Sequence, residues 1–185
     1  GFLFLSGVTF GEGLDRALRY QALLSGAAMG SLSLDGETAI LTIDSALPAV
    51  NANRHLYECL SQGIIGFFRS VTDGSFTPRR IDFAAPAPES SAEAEQYLQC
   101  DLAYDSPHNC IRFDVAVLDR PSPHAEPRLV ELHERVAEDR LKELDATDFV
   151  IAARRAIARE LERGTPSLAQ VAERLHVPQL SLIPL

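Results

Sequence analysis

Two β-rich runs, Met29–Leu34 and Thr38–Ile43, flank the dipeptide Asp35-Gly36. This is a strong two-residue turn signal, because glycine supplies the positive φ that tight hairpins need. The pair reads as a β-hairpin, and one face of it needs an apolar cover. The cover follows directly. Asn51 or Asn53 can cap a long helix in which Leu56, Leu60, Ile64, Phe67 and Val71 recur at helical spacing. Cys59, Gly63 and Phe68 widen that stripe, and Asp73-Gly74 ends the helix. It is the most apolar helix in the chain and is expected to form its core. Gly63 and Gly66 inside it cost about 1 kcal/mol each relative to Ala. They suggest that a strand, another helix or a ligand comes close there.

The rest of the chain builds around this pair. Thr9 and Glu12 have capping-box spacing, so a helix is expected through about Leu24, with Leu14, Leu18 and Ala22 facing inward and Ser25-Gly26 as its stop. Arg79–Phe83 reads as a short strand and Ser91–Leu98 as a short helix. Leu102–Tyr104 and Cys110–Val115 read as a second hairpin around a Ser-Pro-His-Asn turn, with Ile111, Phe113 and Val115 alternating inward. A Pro-rich connection, residues 120–127, leads to a helix running to about Leu144. That helix carries Leu129, Leu132, Val136 and Leu141 on one face and a heavily charged opposite face. Asp148 can cap a further helix, Phe149–Arg163, stopped by Gly164. Pro166–Val177 then shows Ser167 and Gln170 at capping-box positions, with Leu168, Val171, Ala172 and Leu175 in one stripe. This order predicts an α+β domain with an antiparallel or mixed sheet and packed helices, followed by a small all-α piece.

Charge separates the same two parts. Residues 1–145 hold 12 Lys and Arg against 22 Asp and Glu, and residues 146–185 hold 5 against 4. The larger part should repel phosphate backbones, so it is not a nucleic-acid surface. No apolar run approaches the roughly 20 residues of a membrane helix, and the opening Gly-Phe-Leu-Phe-Leu does not read as a signal peptide. Three cysteines, Cys59, Cys100 and Cys110, cannot all pair within one chain. They are expected to be buried free thiols in a reducing cytoplasm.

Motifs for chemistry are scarce. His55 and Cys59 share a helix face at a metal-pair spacing, but no second pair completes a site. Cys100, His108 and Cys110 match no zinc pattern. There is no phosphate loop, no G-x-G-x-x-G and no G-x-S-x-G. No metal, cofactor or catalytic group is expected. What remains is a pocket. Phe67 and Phe68, beside Gly63 and Gly66, with Tyr20, Tyr97 and Tyr104 in neighbouring layers, are candidates to line an apolar cavity with a few polar groups. Arg54 and His55, at the start of the core helix, are candidate anchors for an anionic ligand. Taken singly, each aromatic reads as plain core and Arg54 as a solvated cap residue.

Several stretches together resemble a known family. Thr9-Phe-Gly-Glu-Gly-Leu-Asp-Arg-Ala-Leu-Arg-Tyr20 is similar to the T-L-G-E-A-L-x-x-L-x-R-Y segment of one branch of the AraC/XylS transcription regulators. The N-terminal half of that branch is called the arabinose-binding-like domain. Tyr97–Tyr104, Asn109–Asp114 and Leu118-Asp-Arg-Pro-Ser-Pro123 resemble its second half in order and spacing. Ala153–Val177 resembles the opening of the family's DNA-binding domain. The chain departs from the family twice. A helical segment normally precedes the Thr9 region. The family also continues with an S-x-R-T-L-x-R-x-L recognition helix, where residues 178–185 here contain no Arg and have a Pro near each end.

The resemblance implies the regulatory portion of a bacterial, cytoplasmic transcription regulator. Residues 1–145 are expected to sense an unidentified small-molecule effector and to dimerise, without their N-terminal helices. Residues 146–185 are expected to be an incomplete helix-turn-helix that keeps the scaffold helix of Ser167, Leu168 and Val171. DNA would be bound only by the full-length protein, and no membrane is expected as a partner. Leu129, Leu132 and Val136 are the candidate homodimer face. Tyr20, Arg54, His55, Phe67, Phe68 and Tyr97 are the candidate effector contacts. The rival expectation is a small-molecule carrier or metabolic enzyme domain with an accessory helical tail, which a polar cleft with a strongly perturbed acid–base pair would favour.

Overall fold

The computed structural model describes residues 2–5, 7–23, 28–45, 47–123, 125, 127–161 and 167–178. They fall into two compact units, 1–137 and 138–185, each with its own apolar core. The expected stops at Ser25-Gly26 and Gly164, and the tail from residue 179, lie outside the described residues.

The hairpin forms as expected. Strands β1 (Ala28–Asp35) and β2 (Thr38–Ser45) pair antiparallel, with Asp35 opposite Thr38. The two loop residues are therefore Gly36 and Glu37, one position later than expected. Gly36 takes the first loop position with φ +56°, which a side chain would strain. Strand β5 (Cys110–Asp114) pairs antiparallel with β2, and β3 (Arg80–Asp82) antiparallel with β5. Strand β4 (Asp101–Ala103) lies parallel to β3, giving a mixed sheet in the order β1-β2-β5-β3-β4.

The expected hairpin of residues 102–115 is thus replaced by a crossover, and β3 separates its two strands. Backbone bonds explain the change. Past β4, the Asp105 and Ser106 N–H groups donate to the Ala85 and Phe83 carbonyls, which keeps the chain beside the β3 segment. The short helix α5 (Ala92–Leu98) lies between the parallel pair in the chain, as a parallel connection requires. Val115 does not continue the alternation. Asp114 accepts the Ala116 N–H and turns residues Val115–Val117 into a 3-10 helix.

Helix α1 (Phe2–Leu5) precedes α2 (Phe10–Arg19), which follows a capping plan. Thr9 Oγ1 accepts the Glu12 N–H at 3.2 Å, and the Glu12 carboxylate reaches back to the Val8 N–H. The Phe10 and Gly11 N–H groups donate to the Arg120 and Leu118 carbonyls at 2.8 Å each. The orphan amides of the first turn are therefore satisfied by the Leu118–Pro123 stretch, and two separated sequence motifs meet. Helix α2 ends at Arg19, before the expected Leu24, and a 3-10 turn Gln21–Leu23 follows. Leu14 is buried, Leu18 half-buried, and Ala22 exposed rather than inward.

After a short helix α3 (Pro48–Asn51), Asn53 caps α4 (Arg54–Val71) by accepting the Leu56 N–H. The helix ends with Gly74 N–H donating to the Arg69 carbonyl at 2.7 Å. Its buried face is Tyr57, Ser61, Ile65, Phe68 and Val71, about one residue on from the expected stripe. Leu56 and Leu60 are 45% and 42% exposed. Phe68 meets Phe10 and Phe76 edge-on at 4.9 and 5.0 Å, and Phe76 meets Phe113 at 5.4 Å. Such pairs contribute about 0.5–1.5 kcal/mol beyond their burial. Among the described residues, nothing lies within 4 Å of a Cβ added at Gly63 or Gly66, so no described neighbour accounts for either glycine.

Residues 127–161 form one 35-residue helix, α6 (Pro127–Leu161), in place of the two expected. No Gly or Pro occurs after Pro127 within it, so nothing halts it at Asp148. In the second unit, Ala153 packs with Val171 and Ala172 of α7 (Leu168–Leu175), joined by Phe149, Leu175 and Val177. The capping box of Ser167 and Gln170 is present.

Candidate functional site

On the outer face of α4, Leu56 and Leu60 stand exposed and Ile64 and Phe67 are only partly buried against the core, and a cavity of about 770 Å³ lies against this face. Leu56, Leu60, Ile64 and Phe67 form its α4 wall, with Phe68 at the edge of the core. Leu14, Ala17 and Leu18 of α2 face them, and Leu41 and Ile43 of β2 make the floor. The hairpin, α2 and α4 thus leave a space that their apolar side chains line but do not fill. Gly30 of β1 lies against the side-chain ends of Leu18 and Gln21. A Cβ there would stand 2.8 Å from Leu18 Cδ2.

Polar groups in the lining are few and mostly held. The Gln21 side chain bonds Gly30 both ways, accepting its N–H at 2.5 Å and donating to its carbonyl at 3.1 Å. Tyr57 donates its hydroxyl to Asn51 Oδ1 at 2.7 Å, and that oxygen also accepts the Ser45 N–H. Burial pushes the Tyr57 phenol above its usual range, and the charge of Asp44 adds to this, so it stays a proton donor. Asp44 accepts the Asn109 N–H and side-chain amide at 3.0 and 3.1 Å, and its other oxygen is 2.6 Å from His108 Nδ1. This network ties β2, α3 and the start of α4 together.

The residues singled out from the sequence scatter. Phe67 and Phe68 border the cavity. Tyr20 is buried, but neither it nor Arg54, His55 or Tyr97 is among the described lining residues. Arg54 Nε and His55 Nδ1 each stand 3.6 Å from the Glu58 carboxylate. Tyr97 is 67% exposed. Tyr104 stacks on Phe83 and bonds Glu58. Cys59, expected in the core, is exposed and borders the cavity. Burial pushes the Cys100 thiol up to about 11 and raises that of Cys110. Among the described residues, no group of three or more His, Cys, Asp or Glu is placed to hold a metal ion.

Gln21, Ser45 and Tyr57 had no signal at the level of periodicity. Each joins the site through a backbone position that only the folded hairpin defines. Elsewhere, Leu129, Leu132 and Val136 stand exposed on α6. Ser167 caps α7, Leu168 is exposed, and Val171 is buried in the second core.

The family model for the arabinose-binding domain of AraC transcription regulators, N-terminal, matches residues 1–122. An ornithine utilization regulator of Pseudomonas aeruginosa is 24% identical over 182 residues, which is 98% of this chain and 54% of that protein. Among solved structures, the transcriptional regulator CdpR from Pseudomonas aeruginosa shares the fold with a TM-score of 0.61 at 16% identity. That alignment covers 97% of this chain and 59% of CdpR. The chain therefore spans a little over half the length of the relatives it matches. Among the described residues, no helix is long and apolar enough to cross a membrane.

Proposed function

The chain belongs to the AraC family of transcription regulators, through their arabinose-binding-type N-terminal domain, and from that premise we propose that it is the part that senses a small-molecule effector. The observation that carries this reading is the cavity of about 770 Å³ between α2, the hairpin and the outer face of α4. A space of that size, apolar but for a few polar groups, suits a small organic ligand. The relatives are regulators, which supports a non-enzymatic, cytoplasmic role.

In this reading, residues 1–145 sense and dimerise and residues 146–185 open the DNA-binding domain. The effector shifts the balance between two arrangements of the full-length dimer and so changes its hold on DNA. Ser167 starts a scaffold helix whose Val171 packs inward. Leu129, Leu132 and Val136 on α6 are the proposed homodimer face. Their exposure, 53% for Leu132, supports that choice.

The test is a metabolite library screened by thermal shift. A ligand that binds the folded state raises its melting temperature in proportion to log concentration. The reading requires at least one such ligand, and its binding must fall when Leu60 or Ile64 is enlarged. A Leu132→Asp variant that stays folded and dimeric in sedimentation would remove the proposed dimer face.

A further inference from the structure

Nothing in the described fold requires residue 63 to be glycine. It sits inside α4, where glycine is destabilising relative to alanine. Its φ is not positive, and an added Cβ would meet nothing within 4 Å. Gly66 shares both properties. The two differ in one respect: Gly63 is among the described cavity-lining residues and Gly66 is not.

The chemistry of the lining narrows the occupant. No Arg or Lys is among the described lining residues, and the one Asp or Glu there is Asp44. An anion would lose its water without gaining a cation. A sugar would bring several hydroxyls, each needing a partner. Besides Asp44 the polar side chains offered are Gln21, Ser45 and Tyr57, and these are already bonded: Gln21 to Gly30, Tyr57 to Asn51, and the Ser45 hydroxyl to the Leu47 N–H it accepts. Apart from Cys59, the remaining side chains of the described wall are Leu, Ile, Val, Phe and Ala of α1, α2, α3, β2 and α4.

Resting on the reading of this cavity as the effector site, we propose that it takes a largely apolar, non-anionic organic molecule laid along the outer face of α4, with Gly63 leaving room for the body of the ligand and one polar group of the ligand meeting the Gln21–Ser45–Tyr57 end. The glycine then trades helix stability for ligand space.

The test uses three probes on the whole chain: 4-phenylbutan-1-ol, its carboxylate counterpart 4-phenylbutyrate, and arabinose. Cys59 borders the cavity and is exposed, so protection of its thiol from iodoacetamide reports occupancy, with thermal shift as a second readout. The alcohol is expected to protect Cys59, the carboxylate to bind at least about tenfold more weakly, and arabinose not to protect. Gly63→Leu is expected to raise the ligand-free melting temperature and to weaken the alcohol by about tenfold or more. Gly66→Leu, outside the described lining, is expected to stabilise the chain and keep binding. Carboxylate or arabinose binding as tight as that of the alcohol overturns the ligand class and leaves the effector site standing. Undiminished alcohol binding in Gly63→Leu, or an equal loss in Gly66→Leu, overturns the role of Gly63. If no probe protects Cys59, the effector reading of the cavity falls as well.

Discussion

Helix α4 has two apolar faces, and they do different work. The inner face, Tyr57, Ser61, Ile65, Phe68 and Val71, is buried against the sheet and the phenylalanine cluster. The outer face, Leu56, Leu60, Ile64 and Phe67, borders an open space of about 770 Å³. Both faces are apolar in sequence. The outer one is the more uniformly aliphatic, while the inner one includes a buried serine whose hydroxyl has no hydrogen-bond partner among the described residues. Hydrophobicity alone therefore does not tell a packing face from a binding face. What separates them is whether another element of the same chain fills the space opposite.

Truncation tests this difference most strongly. Ile65→Ala removes a side chain that is 2% exposed and should destabilise the chain by about 2–5 kcal/mol, read as a drop in urea midpoint. Leu60→Ala on the outer face should change stability by no more than about 0.5 kcal/mol, while weakening any cavity ligand. Equal losses from the two would erase the distinction between the faces. Next in size is Gly63→Ala, expected to stabilise by about 1 kcal/mol because the helix gains a better former and the Cβ meets open space. A destabilised Gly63→Ala would mean that something occupies that space in the ligand-free chain.

The thiols give a third, smaller reading. At pH 8 a thiol held at about 11 is ionised to about one part in a thousand, so Cys100 should alkylate far more slowly than exposed Cys59. Its rate should climb as pH rises towards 11, since the thiolate is the reacting form. Mass-spectrometric mapping of the first labelled site checks this. Early labelling of Cys100 would place Cys59 under cover.

How much of this was legible in the residues differs by element. The β1–β2 hairpin was, because Gly36 answers a backbone demand that few other residues meet. So was the α7 capping box, where Ser167 and Gln170 interact within four residues of each other. The register of α4 was not, because its most apolar stripe is the cavity wall, and periodicity reports only that a face avoids water. The pairing of β4 with β3 was not legible either. Ser106–Asn109 looks like a hairpin turn, but the buried side chain of Asn109 accepts the Ala84 N–H and donates to Asp44, contacts distant in sequence. The break expected near Asp148 rested on a capping residue with no helix breaker beside it, and α6 runs through.

Family membership was readable from stretches that the fold then joins, as Thr9–Glu12 and Leu118–Pro123 do. Of the candidate effector residues, Phe67 and Phe68 border the cavity because they lie where the two faces of α4 meet. Arg54 and His55 stand by Glu58, one turn along the same helix, and are not among the described lining residues.

The central claim is that the outer face of α4 is a ligand-binding wall. An amide-resolved NMR titration of the chain with a ligand found by thermal shift tests it most directly. The account predicts that the largest shifts appear at Leu56, Leu60, Gly63, Ile64 and Phe67, with Leu18 and Ile43 opposite, while Ile81 and Ile111 in the sheet stay near their free positions. Saturating shifts confined to other surfaces, with the α4 amides unmoved, would contradict it.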